Sequence, residues 1–139
     1  MTTTTLLQQY GLAMLPVIVQ ALQERRIGPL VLRQFLNHGN NDLKRLELQL
    51  SRSRRTVRVG ALSRSDRLAV YQYFELERRS LHAYKLALMR LEEYFSRPDD
   101  RLLEHALLQY ETGERFQKKR LQSRTEFPPR LSDRITRAA

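Results

Sequence analysis

The sequence of 139 residues has no cysteine, only five glycines and five prolines, and only three histidines. Without cysteine there are no disulfides, no thiolate metal sites and no cysteine nucleophile. That fits a reducing, cytoplasmic setting. The histidines, His38, His82 and His105, fall in no metal-ligand spacing: there is no HExxH and no ExxH. A Gly-rich phosphate loop and a GxSxG elbow are also missing. The carboxylates sit beside arginines, as in solvated ion pairs rather than a buried acid/base couple. The expectation is a non-enzymatic protein with no cofactor and no metal.

Charge is absent from Met1 to Gln23, and the first basic residues are Arg25 and Arg26. A secretory signal carries its positive charge before its apolar stretch, the reverse of this order. The densest apolar part, Leu12–Leu22, is broken by Pro16 and falls short of the about 20 residues a spanning helix needs. We expect two short helical pieces there, divided at Pro16. Their apolar residues Leu6, Leu7, Tyr10, Met14, Val17, Ile18 and Leu22 should cover the longest helix.

Acidic residues are outnumbered 15 to 25, for a net charge of +10 and a pI near 10.6. Such a balance favours polyanionic partners. Lysine is scarce, with only Lys44, Lys85, Lys118 and Lys119. The arginine forks that make up the rest match phosphate and carboxylate geometry, although an arginine-rich codon usage produces the same ratio. With 41% hydrophobic residues the chain can bury a core as one domain.

The longest uninterrupted stretch is Ser63–Phe95, free of glycine and proline. Val70, Phe74, Leu81, Tyr84, Leu88, Leu91 and Phe95 lie on one helical stripe with a coiled-coil-like cadence, broken only by Glu77. Ala69, Tyr73, Leu76, Ala83, Ala87 and Tyr94 form a second stripe, so this helix packs against more than one neighbour. Ser63 and Asp66 form a capping signature, and Glu75–Arg79 and Glu93–Arg97 are favourably ordered pairs. Pro98-Asp99-Asp100 ends this helix and opens another, Pro98–Ser123, with Leu102, Leu103, Ala106, Leu107, Tyr110, Phe116 and Leu121 on its apolar side. The short turn makes the two antiparallel neighbours and sets Gly113 opposite His82–Ala83 and Leu121 near Phe74.

Before the hairpin we expect Pro29–Leu36 as a short helix, ended by Asn37-His38-Gly39-Asn40-Asn41, and a new helix from Asp42 through Leu50. Ser51–Arg67 is the most basic interior stretch, with Arg55–Val59 a plain loop or a lone strand. After Arg124 the pattern stops, and Pro128-Pro129 opens a basic tail with Leu131 and Ile135 as its apolar anchors. Such a tail should gain order only against a partner.

The expected fold is all-α: a long antiparallel helical hairpin packed by shorter N-terminal helices, with a basic C-terminal tail. The expected domain spans residues 1–125, with short helices over 1–50, a basic connector over 51–62 and the hairpin over 63–123. The tail takes 126–139. The candidate contact residues are Arg52, Arg54, Arg55, Arg58, Arg64 and Arg67 in the first basic segment, and Lys118, Lys119, Arg120 and Arg124 in the second. They point to an adaptor or assembly factor docking on an acidic protein surface or a larger assembly. The alternative is contact with a DNA or RNA backbone. The oligomeric state is left open.

Overall fold

The computed structural model describes residues 11–57, 59–128 and 131. A 3-10 turn, Gly11–Met14, leads into α1 (Leu15–Gln23), and α2 follows over Pro29–Thr56. A second 3-10 turn, Val59–Ala61, precedes α3 (Arg64–Ser96), and α4 spans Asp100–Thr125. The fold is all-α, and no strand forms among the described residues.

The helical hairpin of α3 and α4 is the centre of the structure. Ser63 caps α3, its Oγ accepting the Asp66 N–H at 3.2 Å, and Asp66 suits the positive helix end. At 1.5 Å per residue α3 runs about 50 Å. It stops at Arg97, whose extended backbone suits the residue before a proline. Asp99 then caps α4, accepting the Arg101 N–H at 3.0 Å. The register agrees with a turn at Pro98: Ser80 Oγ donates to the Gly113 carbonyl at 2.9 Å, and the Tyr84 and Tyr110 rings lie 5.4 Å apart. Gly113 therefore sits between Ser80 and Tyr84, and it is the Tyr84 ring that crowds it. Leu121, expected on the apolar side near Phe74, is instead 53% exposed. Glu93 pairs with Arg90 at 2.9 Å rather than with Arg97, which has left the helix.

α2 corrects the expectation of two short helices. It is one helix of 28 residues that passes straight through Asn37–Asn41. Two of those five residues are engaged within the fold, and Asn37 and Asn41 face outward. Gly39 is buried, and a Cβ there would come within 2.9 Å of a Leu88 methyl, so the glycine lets α2 approach α3 closely. Asn40 Nδ2 donates to the Leu36 carbonyl within the helix at 2.8 Å. Asp42 Oδ2 accepts the Leu12 N–H at 3.1 Å, tying the first 3-10 turn to α2. Gly11 beside it has φ +52°, and any side chain there would overlap the Asp42 carboxylate.

The connector shrinks accordingly. Arg55 and Thr56 are helical, Val57 is extended and buried, and Val59 begins the 3-10 turn, so the lone strand does not form. Pro16 lies in the first turn of α1, where its missing N–H costs nothing. Leu6, Leu7 and Tyr10 lie outside the described residues. α1 packs chiefly on α4, not on α3 as expected. It ends with Arg26 N–H bonded to the Ala21 carbonyl at 2.8 Å and Arg25 N–H to Leu22 at 3.1 Å, with Arg25 left-handed at φ 55°.

One core joins all four helices and extends into the tail segment. The Phe127 ring packs 5.7 Å from that of Tyr73, and Leu131 is fully buried, its N–H bonded to the Pro128 carbonyl at 3.0 Å. The expectation of a tail ordered only against a partner does not hold at these two residues, because Phe127 adds an anchor beyond Leu131. Ile135 and the rest of 132–139 lie outside the described residues.

Candidate functional site

The two basic segments meet at one end of the bundle. The end of α2 is joined to the start of α3 by residues 57–63, and the start of α3 lies beside the end of α4 because the hairpin is antiparallel. In the last turns of α2, Leu50, Ser53 and Val57 point inward. Helical spacing therefore turns Arg52, Arg54 and Arg55 outward, and all three are exposed. Arg64 and Arg67 are exposed in the first turn of α3, before the buried Val70. Lys118 and Lys119 are exposed near the end of α4. Among the described residues, none of these seven side chains forms an ion pair; Lys119 rests 5.9 Å from the Phe116 ring. Arg58 lies outside the described residues.

Arg120 and Arg124 are half-buried and point another way. They line an inner trough of about 540 Å³ between α2, α3 and α4, together with Gln49, Tyr73, Glu77, Tyr84, Tyr110 and Glu114. Arg120 donates to the Tyr73 hydroxyl at 2.5 Å and to Gln117 Oε1 at 2.8 Å, and its guanidinium lies 5.2 Å from the Tyr73 ring. Tyr84 donates to the Glu114 carboxylate. Burial pushes the Tyr84 hydroxyl up, and Glu114 adds to the shift. The same causes push Tyr110 up to about 12. Burial also raises Glu77, the residue that breaks the apolar stripe, against the opposing pull of Arg120.

An outer groove of about 720 Å³ brings the two segments together. It is lined by Arg54 from α2, by Tyr71, Gln72, Glu75, Leu76 and Arg79 from α3, and by Lys119, Gln122 and Ser123 from α4, with Glu126 beyond. Glu75 is already held, accepting from Arg78 at 2.6 Å and 2.9 Å and from Arg79 at 3.1 Å. The Arg78 guanidinium is the main cause that brings its carboxyl down to about 2. Tyr71 is 57% exposed, whereas Tyr73 is buried. The Glu75–Arg79 pair expected from the sequence forms at 3.1 Å, and the sequence marks Tyr71 only by its place close after the first basic segment.

Among the described residues no group of three His, Asp or Glu side chains is placed to hold a metal ion. No helix among them is long and apolar enough to cross a membrane. No family model, curated protein or solved structure matches this chain.

Proposed function

We propose that this is a non-enzymatic interaction protein, an adaptor or assembly factor, that docks through its basic end on an acidic surface of a partner protein. The observation that carries this reading is the convergence of Arg52, Arg54, Arg55, Arg64, Arg67, Lys118 and Lys119 at one end, exposed and without carboxylate partners among the described residues. Exposed arginine and lysine already paired within the chain would have little left for a partner. These are free to steer and grip an opposite charge. The rigid helices beneath them hold the charges in a constant pattern, which favours a folded or helical partner.

A nucleic-acid backbone is the second reading, favoured by the spread of cations beyond the groove onto Arg52, Arg55, Arg64 and Arg67. The two differ in salt response. Backbone contact by Z cations gives a log–log slope of about −0.9Z on duplex DNA, whereas a protein complex anchored by apolar burial loses much less. Reversing Arg52, Arg54 and Arg55 to Glu should leave the fold intact and abolish binding to an acidic partner recovered from the source at moderate salt after nuclease treatment. Retained binding by that variant removes the basic end from the interface. A partner released by nuclease selects the second reading.

A further inference from the structure

The outer groove combines features that a purely electrostatic surface lacks. Tyr71, 57% exposed, offers the groove an aromatic face from α3. Leu76 adds apolar surface within the groove. Arg54 from α2 and Lys119 from α4 supply positive charge to it, and neither forms an ion pair among the described residues. Glu75 is neutralised by two arginines of its own helix, so the groove's central carboxylate is not available to repel an anion at close range. From Tyr71 to Arg79 the α3 side spans about 12 Å, two turns of helix.

We propose that this groove takes an acidic amphipathic helix of a partner protein, about two turns of it in contact, with an apolar side chain against Tyr71 and Leu76 and carboxylates against Arg54 and Lys119. The inference rests on the docking function proposed above and names its occupant. Charge complementarity selects an acidic partner, and the exposed aromatic and aliphatic surface selects an amphipathic one. A phosphate backbone has no apolar face to offer Tyr71 and Leu76. An apolar anchor inside a ring of charges is also the arrangement in which one side chain carries most of the binding energy.

The test is fluorescence anisotropy on the full chain with two labelled helical peptides of equal length and charge. One carries Glu with Leu at three- and four-residue spacing, and the other carries Glu with Gln in place of Leu. The amphipathic peptide should bind about tenfold tighter. Arg54→Glu with Lys119→Glu should weaken it about tenfold or more and Tyr71→Ala about fivefold. Arg64→Glu with Arg67→Glu, the same charge change outside the groove, should weaken it less than about threefold. Circular dichroism and thermal melts establish that each variant is folded. Equal binding of the two peptides, indifference to Tyr71→Ala, or equal losses from the two charge-reversed pairs would overturn the groove and leave docking at the basic end standing. Failure of both peptides to bind, or displacement by an oligonucleotide of equal charge at lower concentration, would overturn both.

Discussion

Two glycines at helix–helix contacts look alike in sequence and differ in what surrounds them. A Cβ on Gly113 would lie 2.6 Å from the Tyr84 ring, which is pinned by Glu114 and by the Tyr110 ring. A Cβ on Gly39 would come closest to a Leu88 methyl at 2.9 Å, the end of a buried side chain that no hydrogen bond holds in place. Alanine recovers about 1 kcal/mol of helix propensity at either site. Overpacking against a fixed ring costs about 1–3 kcal/mol. Gly113→Ala should therefore destabilise by up to about 2 kcal/mol and Gly39→Ala should stay within about 1 kcal/mol of the parent; urea denaturation of both checks the difference. Glu77 is the residue-scale counterpart for charge. Its folded-state pKa is raised by burial, so its proton stabilises the fold below the ordinary carboxylate range. That contribution is lost as pH rises through the elevated value. Glu77→Gln should thus raise Tm at pH 7, with the advantage gone by pH 4, and a lower Tm at pH 7 would mean that attraction to Arg120 outweighs burial.

At the scale of elements, the start and end of each helix depend on different kinds of information. α3 and α4 are bounded by local chemistry: Ser63, Asp66, Pro98 and Asp99 act within four residues of themselves. The first 3-10 turn is bounded from a distance, since Leu12 N–H is satisfied by Asp42, thirty residues away. Asp42→Ala leaves that N–H without its charged acceptor and should cost about 2 kcal/mol. Asp42→Asn keeps an acceptor oxygen and should cost less. Hydrogen exchange at the Leu12 amide, faster in the alanine variant, locates the loss. Removing Asp42 should not shorten α2, because Gly39 and Asn40 stay engaged with Leu88 and Leu36.

For the whole molecule, a net charge of +10, with seven exposed cations gathered at one end among the described residues, stores repulsion. Salt screens it over about 10 Å at 0.1 M. Raising ionic strength from low to moderate at neutral pH should accordingly raise Tm. Reversing Arg54 and Arg55 to Glu should flatten that dependence while leaving the helical spectrum unchanged; a Tm falling with salt in the parent would show that ion pairs such as Glu75–Arg78 dominate instead.

The sequence by itself determined the all-α class, the length of α3 and the antiparallel hairpin. Each follows from local signals: a cap, a proline, an apolar stripe broken only at Glu77. It also named the basic residues. Only the tertiary structure decided that Asn37–Asn41 continues a helix. A run of turn-forming residues stays helical there because Leu88 packs on Gly39 and Leu12 bonds Asp42 just beyond, contacts that span thirty to about fifty positions of chain. The tertiary structure likewise decided which cations act together. Arg54 and Lys119 share a groove while Arg120 turns inward to Tyr73, a division set by the packing of α2 and α4 on α3 and invisible in a linear charge count.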